Sequence, residues 1–427
     1  MKSNNEVATS PGNSLPRGAW LVVMFLFLVG ALNYIDRNML TTMRFSIIDS
    51  IPMSDAQFGL LTSAFLWVYG LMSPLAGYMA DKFKRSHIII FSLIVWSLVT
   101  WLTGHATTFN QLLVTRALMG ISEAFYMPAA LALITDYHKG PTQSLATGIN
   151  LTGVMLGSSL GFIGGWIAEK HTWNLAFTSL GVIGVVYGVI LCLFLKDAPK
   201  EETVISSVPD DRVKTGEKKI SFTDAIKNLF GKPAYIYLLF FWSLLGLVNW
   251  IIAAWLPTYY KETFNLSQSM AGVYATAYLW PVSIVGLLAG GYLSDRWSKK
   301  NPRARIIVPI IGLIFAIPAI LLGSTTTVLA ITVAAFAVYA LTSKFSDTNM
   351  MPMLCLTIDH RYRATGYGIL NMLSTITGGL GVYVAGAMRD AQVELSSVYQ
   401  ISAIALIVCL GILFLVLRSA TKRKEPR

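Results

Sequence analysis

The chain carries one motif twice, once in each half. An apolar segment ends in GYMADK at residues 77–82, and a second apolar segment ends in GYLSDR at residues 291–296. Apolar segments that recur with the same charged ending are typical of membrane proteins built from two structural repeats. Secondary transporters place their substrate site at the interface between such repeats. The motif therefore predicts a duplicated transport fold.

Composition restricts this fold to membrane-spanning helices. Hydrophobic residues make up 54% of the chain, charged residues make up 13%, and the mean hydropathy is +0.59, outside the range of soluble domains. We predict an all-α membrane protein with twelve transmembrane helices in two pseudo-symmetric six-helix halves. The predicted spans are 18–43, 55–80, 87–104, 108–136, 142–168, 174–195, 233–260, 268–294, 304–323, 326–355, 362–388 and 396–418.

The net charge of +11 orients the chain in the membrane. The loops on one side of these spans hold 26 Lys and Arg residues, and the loops on the other side hold 4, which are Arg44, Lys170, Lys261 and Arg389. The positive-inside rule then places both termini in the cytoplasm, so the basicity does not require a nucleic-acid partner. We expect a multi-pass protein of the bacterial cytoplasmic (inner) membrane, without a cleaved signal peptide.

The order of polar and apolar stretches predicts five regions. These are a cytoplasmic tail (1–17), a six-helix bundle (18–195), a cytoplasmic linker (196–232), a second six-helix bundle (233–418) and a short cytoplasmic tail (419–427). Within the linker, residues 221–230 place their apolar side chains on one face, which favours a short helix on the membrane surface over a plain loop.

Charged residues inside the spans are few: Asp36, Arg37, Arg116, Glu123, Lys344 and Asp347. Such residues are costly in a bilayer, so they usually pair and face a water-filled path. The simplest scheme pairs Asp36 with Arg116 and Arg37 with Glu123. Two interpretations stay open: static ion pairs that fix helix packing, or carboxylates whose protonation frees an arginine for an anionic substrate.

The second half offers a different pair. Lys344 and Asp347 are three residues apart, so they can pair within one helix, and structural and functional roles are equally compatible with the spacing. Both this half and the first carry a carboxylate five residues before a proline, at Glu123 and at Asp347. Proline frees a backbone carbonyl and kinks a membrane helix.

The repeated motif predicts a conformational latch. Gly77 and Gly291 allow helices to approach closely. Asp81 and Asp295 lie at cytoplasmic helix ends, where a carboxylate can accept from the N-terminal amides of a neighbouring helix or pair with a loop arginine. The nearby arginines are Arg85 and Arg296.

Amide side chains in mid-span are candidate substrate ligands. Asn150, Asn249 and Asn371 can either bridge helices or bind substrate hydroxyls. The sequence gives little support for metal binding, ATP use or catalysis. Cys192, Cys355 and Cys409 lack metal-ligand spacing. The sequence contains neither a phosphate-binding loop nor a nucleophile and base in a catalytic arrangement. We predict a protein that is no enzyme and holds no cofactor or metal.

The duplicated Gly-x-x-x-Asp-basic motif resembles the signature of the major facilitator superfamily. The stretches NYIDR (33–37), RALMGISEAFYMP (116–128) and WLPTY (255–259) resemble its anion:cation symporter branch, which includes sugar-acid/proton symporters and sialic-acid and vesicular glutamate carriers. The resemblance implies that Asp36 and Glu123 bind protons and that Arg37 binds a substrate carboxylate. Arg116 is implied as the switchable partner of Asp36, and Tyr69 and Asn371 as substrate contacts. Lys344 lies outside the branch pattern.

A second resemblance competes. The YIDR (34–37), WSLVT (96–100) and TRALMGISEA (115–124) stretches also resemble spinster-type lysolipid carriers. We expect a proton-coupled importer of a small organic anion, most plausibly a sugar acid such as a hexuronate, aldonate or sialate. The alternative is a spinster-like transporter of lysolipids or other amphiphiles, or a drug exporter. The expected partners are protons, the anionic substrate and membrane lipids, for a chain that acts as a monomer.

Overall fold

A computed structural model describes residues 15–16, 18–138, 142–199, 222–359 and 362–422, and within these ranges the chain forms helices and no β-strand. The helices are α1 (Ala19–Thr42), α2 (Arg44–Ser50), α3 (Asp55–Lys82), α4 (Arg85–Thr103), α5 (Phe109–Ala124), α6 (Tyr126–Tyr137), α7 (Gln143–Ser159), α8 (Phe162–Lys170), α9 (Trp173–Phe194), α10 (Phe222–Phe230), α11 (Pro233–Phe264), α12 (Gln268–Gly272), α13 (Leu279–Ser298), α14 (Ala304–Thr325), α15 (Leu329–Thr357), α16 (Arg363–Asp390) and α17 (Leu395–Lys422). One turn of π-helix, Val273–Ala277, joins α12 to α13.

Twelve segments of the described chain are long and apolar enough to cross a membrane. Three of these spans consist of two consecutive helices, namely α5 with α6, α7 with α8, and α12 with α13. The prediction of an all-α membrane protein with twelve spans is therefore confirmed. The helix predicted at 221–230 is present as α10, and its place on the membrane surface stays a prediction. Most of the tail at 1–17, residues 200–221 of the linker and the end of the tail at 419–427 lie outside the described residues.

Proline explains why span 4 is divided. Pro128 has no N–H, and its ring clashes with the carbonyl four residues earlier in a continuous helix. That carbonyl belongs to Ala124, where α5 ends, and α6 begins at Tyr126. The corresponding proline of the second half, Pro352, lies inside α15, which runs through it without interruption.

Helices α1–α9 form one half and helices α11–α17 form the other. Within the first half, α7 lies against α1 so closely that Gly153 and Gly157 face the backbone of Phe27 and Ala31 with no room for a Cβ atom. Small residues at such contacts allow membrane helices to pack through their backbones. The outward surface is apolar, as lipid requires, with Leu193 of α9 69% exposed.

The two halves meet along α3 and α16. The indole Nε1 of Trp67 on α3 donates to the carbonyl of Ile376 on α16 at 3.0 Å, and the hydroxyl of Ser63 donates to the carbonyl of Gly379 at 2.6 Å. We call the end of the bundle where α1 begins and α3 ends the basic face, and the opposite end the far face. Helices α3 and α16 run antiparallel, so each connects the two faces.

Candidate functional site

Arg37 of α1 and Glu123 of α5 form an ion pair in the middle of the bundle. The Nε of Arg37 lies 2.7 Å from Oε2 of Glu123, with 9% of the arginine side chain and 0% of the glutamate side chain exposed. Glu123 is 14 residues into α5, which is about 21 Å from the far face at 1.5 Å per residue. The structure thus places an accessible cation beside a carboxylate that solvent does not reach.

Aromatic rings enclose the Arg37 guanidinium. Its Cζ lies 4.5 Å from the ring centroid of Tyr34, 4.8 Å from that of Phe65 and 4.6 Å from that of Tyr69. Cation–π contacts are worth about 0.5–2 kcal/mol each, with the larger values in desolvated sites. The rings therefore hold the guanidinium in place independently of Glu123. Tyr69, a predicted substrate contact, lies directly against Arg37.

Asp36 and Arg116 lie deeper and pair loosely. The Nη2 of Arg116 is 3.8 Å from Oδ1 of Asp36, and both side chains are at most 2% exposed. The hydroxyl of Thr100 donates to the other oxygen of Asp36. Asp36 Oδ1 and Arg116 Nε and Nη2 have no hydrogen-bond partner within the described ranges. Buried charges with unmet hydrogen bonds are costly, so this pair is held less favourably than the pair of Arg37 and Glu123.

A pocket between the halves receives Arg37. It is lined by Tyr34, Arg37 and Thr62 of the first half and by Trp250 and Trp280 of the second. Its cavity volume is ≈ 40 Å³, room for a few water molecules at roughly 10–15 Å³ each. In this conformation the pocket admits one small polar group, and a larger ligand has to extend out of it.

The second half adds a polar cluster on α11 and α15. Asn249 of α11 accepts from the hydroxyl of Tyr339 at 2.7 Å. The Nζ of Lys344 lies 2.6 Å from Oδ2 of Asp347, with 14% and 25% of the two side chains exposed. The spacing of Lys344 and Asp347 correctly suggested a pair within one helix.

The amides Asn150 and Asn371 are placed very differently. Asn150 is completely buried, and its side-chain amide lies 2.9 Å from the hydroxyl of Tyr126, which donates to the carbonyl of Leu26 at 2.7 Å. In this conformation the amide of Asn150 therefore links helices, and its contact with substrate stays a prediction. Asn371 is exposed on α16, where its side chain is available to a ligand.

The predicted latch residues lie at the basic face without closing it. A Cβ at Gly77 or at Gly291 would meet no heavy atom within 4 Å, so the expected close approach at these glycines is absent. In the second half, close approaches to α15 are made instead by Gly290, the residue before Gly291, and by Gly286, five residues before it. A side chain at either motif glycine would therefore meet no neighbouring atom in this conformation.

The charged latch residues have few partners. Asp81 and Asp295 are exposed, and no ion pair joins either side chain to another residue of the described chain. Arg85 pairs with Asp136 and donates to the carbonyl of Ala132 at 3.0 Å, and Arg296 donates to the hydroxyl of Tyr292 at 2.8 Å. A latch between these residues and another helix stays a prediction for a different conformation.

A charge network closes the far face instead. The Nη1 of Arg44 lies 3.7 Å from Oε1 of Glu262, and the Nε of Arg389 lies 3.0 Å from Oδ2 of Asp55. Arg44 also pairs with Asp55 inside the first half, and Arg389 with Glu262 inside the second. Two arginines and two carboxylates from both halves thus form one network.

Helix α3 adds a capping contact across the halves. The carboxylate of Asp390, the last residue of α16, accepts from the backbone amides of Asp55 and Ala56 at 2.8 and 3.0 Å. These amides belong to the unpaired N–H groups at the start of α3, where a negative charge is favourable. This network was not predicted from the sequence, although Arg44 and Arg389 are two of the four basic residues in the loops of the far face.

The fold and the site together define a multi-pass membrane protein whose two six-helix halves enclose a central charged pocket. The family model described as Major Facilitator Superfamily matches residues 26–307 and 244–427, and the chain belongs to this superfamily of transporters. It is therefore a transporter and not an enzyme.

Relatives point to small organic anions and to spinster-type proteins. The chain is 27% identical over 386 residues to the hexuronate transporter of Bacillus subtilis (strain 168), covering 86% of this chain and 87% of the relative. It is 26% identical over 394 residues to protein spinster homolog 1 of Xenopus laevis, covering 87% of this chain and 73% of the relative.

A solved structure shares the fold. The crystal structure of a bacterial homolog to the human lysosomal transporter spinster, in an inward-facing and unoccupied conformation, matches with a TM-score of 0.80. The match covers 97% of this chain and 100% of that chain, at 24% sequence identity. This likeness shows the major facilitator fold.

Proposed function

We propose that this transporter is a proton-coupled symporter that imports a small organic anion of the sugar-acid class. The observation that carries the proposal is the Arg37–Glu123 pair, since the pocket reaches the arginine while the carboxylate is buried. Arginine presents paired N–H groups that match a carboxylate. The counter-ion of the substrate-binding cation is thus itself a proton-binding group.

Coupling follows from charge balance at this pair. When Glu123 binds a proton, Arg37 loses its counter-ion and becomes the partner of the substrate carboxylate. When the substrate leaves and Glu123 releases its proton, the ion pair forms again and the empty site is neutral. A charge left unpaired in the membrane interior is costly, so the states with only proton or only substrate bound are disfavoured.

Asp36 and Arg116 provide a second protonation step. The pair is loose and lies next to Arg37 in α1, so a proton on Asp36 releases Arg116 and alters the packing of α1 against α5. Asp36 and Glu123 are both proton-coupling residues in this proposal, and Arg116 is the switch between them. The stoichiometry follows from how many of the two carboxylates change protonation in one cycle.

Alternating access uses both faces. The basic face is cytoplasmic in a bacterial inner membrane, as the distribution of Lys and Arg favours, and the chain acts as a monomer. The far-face network is made here, while Asp81 and Asp295 are without ion-pair partners among the described residues. In this proposal, the far-face network shuts the site toward the outside, and its release alternates with the formation of a latch at the basic face.

The relative named as a hexuronate transporter supports a sugar acid as the substrate. The relatives named as spinster homologues favour the rival proposal, a carrier of lysolipids or other amphiphiles. A lysolipid phosphate can pair with Arg37 as a carboxylate does, so what weighs against that rival is its acyl chain, for which the ≈ 40 Å³ pocket has no room in this conformation.

A substrate screen distinguishes the two proposals. The purified protein is tested by thermal shift against sugar acids and lysolipids, and hits are tested for uptake into proteoliposomes under a pH gradient. We expect a hexuronate or aldonate to raise the melting temperature and to be accumulated. Stabilisation by lysolipids alone would favour the amphiphile carrier.

A further inference from the structure

The ion pair of the second half plays no part in the coupling proposed above. Lys344 and Asp347 both lie on α15, 2.6 Å apart. Charged residues inside spans are expensive, and they mark the paths of substrates and ions. Within the described chain this ion pair joins no second helix, which leaves both side chains available for a role in binding.

Lys344 lies at the depth of the Arg37 site. It is 15 residues into α15, which starts at the far face, so it is about 22 Å along the helix axis. Glu123, which binds Arg37, is 14 residues into α5, which also starts at the far face, or about 21 Å along. The two pairs therefore occupy equivalent levels in the two halves.

The neighbours of Lys344 connect it to the central pocket. Tyr339, on the same helix, donates to Asn249 of α11, and Asp347 is close enough to Tyr339 and to Tyr367 of α16 to act on both electrostatically. The helix of the pair thus contacts α11 through Tyr339, and Asp347 lies near Tyr367 of α16.

The pocket begins at the next residue of α11. Trp250 follows Asn249 in the chain and lines the pocket that receives Arg37. Through Tyr339, Asn249 and Trp250, the helix that carries Lys344 is thus connected to the pocket that receives Arg37.

Lys344 and Arg37 are more exposed than Arg116, the other cation in mid-span. Their side chains are 14% and 9% exposed, whereas Arg116 is 2% exposed. Asp347 is 25% exposed, so water can satisfy this carboxylate when Lys344 turns away from it. A lysine has a flexible four-carbon stem and an ammonium that donates in three directions, which suits an anchor that changes partners.

We infer that Lys344 binds a second anionic group of the substrate, so that the preferred substrate is a linear dianion with a carboxylate at each end, such as an aldarate. One carboxylate pairs with Arg37 of the first half and the other with Lys344 of the second. A ligand held by both halves links binding to their relative movement, because the substrate site of such transporters lies at the interface between repeats. The inference rests on the proposed function and adds a second contact to the same site.

The test compares two acids that differ at one end only. D-glucarate and D-gluconate share a six-carbon polyhydroxy chain, and glucarate has a second carboxylate where gluconate has a hydroxymethyl group. Their dissociation constants are measured on the full-length protein in proteoliposomes. We expect glucarate to bind at least about tenfold more tightly, the gain of one charge-assisted hydrogen bond.

Variants assign that preference to the lysine. Lys344→Gln is expected to bring the ratio of the gluconate to the glucarate dissociation constant close to one. Lys344→Arg should keep most of the preference for glucarate. Asp347→Asn should keep or increase that preference. Lys261→Gln is the matched control, because Lys261 lies over the ring of Phe45 at the far face and its loss should leave the ratio as it is.

Each result decides between the proposals. Equal affinities for the two acids in the unaltered protein, or an unchanged ratio in Lys344→Gln, overturn the second anchor while leaving gluconate symport intact. If neither acid binds, the proposed function fails together with the inference. Should Lys344→Gln not fold, an Asp347→Asn protein that has lost the glucarate preference contradicts the inference by itself.

Discussion

The Nε of Arg389 donates to Oδ2 of Asp55 at 3.0 Å, and this contact joins the end of α16 to the start of α3 across the two halves. Arg389 also donates to Glu262 of its own half at 2.9 and 2.7 Å. It therefore holds one carboxylate from each half. When the halves separate at the far face, Arg389 must give up Asp55 and keep Glu262.

Substitution of Asp390 is expected to weaken closure of the far face. Asp390→Asn removes the charge that caps the start of α3 but leaves the Arg389 pairs intact. Hydrogen bonds to charged groups contribute about 1.5–3 kcal/mol, so the ratio of closed to open far face should fall about tenfold. Distances between spin labels on Ser50→Cys and Thr327→Cys, in a background without native cysteines, measure that ratio.

A matched variant makes this result specific. Glu394→Gln also removes one negative charge at the far face, but within the described residues the Glu394 carboxylate accepts its hydrogen bond from Ser396 of its own half. The spin-label distances of Glu394→Gln should resemble those of the unaltered protein. Asp390→Asn with the same distance distribution as this control would show that the contact does not hold the face closed.

Close packing of α7 on α1 predicts a stability difference between two glycines of one helix. Gly157→Ala forces a Cβ into the backbone of Ala31, whereas Gly148→Ala meets no atom within 4 Å. Overpacking typically costs about 1–3 kcal/mol, so the melting temperature in detergent should fall for Gly157→Ala. The Gly148→Ala protein should be as stable as the unaltered one, and equal melting temperatures for the two variants would contradict the helix contact.

Replacement of Arg37 separates anion transport from amphiphile transport. Arg37→Lys keeps a charge but loses the paired donors that match a carboxylate, so sugar-acid affinity should fall about tenfold, and Arg37→Ala should lower it further. Isothermal titration with a sugar acid measures both. Lys299→Ala, which removes an exposed basic-face cation, serves as the control. Lysolipid transport that persists in the Arg37→Ala protein would support the rival function.

Much of the architecture could be predicted because a membrane helix is recognised from the residues of its own segment. Span length and hydropathy depend on runs of neighbouring residues, and a charged residue in a span requires a partner. The same reasoning led from Arg37 to Glu123 on another helix, and from Lys344 to Asp347 one turn away. These contacts could be predicted because the spans contain few charged residues, so each charge has few alternative partners inside the membrane.

Other features depend on three-dimensional arrangement or on the state of the transporter. Asn150 looks equally suited to a cavity or to a helix contact, and only the position of Tyr126 decides for the contact. Neither a close helix approach at Gly77 nor an ion pair of Asp81 is found within the described residues, so a latch at this position belongs to another conformation. The Asp390 cap on α3 joins residues far apart in the chain, and no local pattern marks a carboxylate that caps another helix.

The central claim is that the protonation of Glu123 and Asp36 drives accumulation. The direct measurement is uptake of a labelled sugar acid into proteoliposomes with an acidic exterior, for the unaltered protein and for Glu123→Gln, Asp36→Asn and, as a control, exposed Asp49→Asn. We predict that the unaltered protein and Asp49→Asn accumulate substrate until a protonophore is added, while Asp36→Asn and Glu123→Gln exchange substrate without accumulating it. Accumulation that persists in both carboxylate variants, or that ignores the pH gradient in the unaltered protein, would contradict proton coupling at this site.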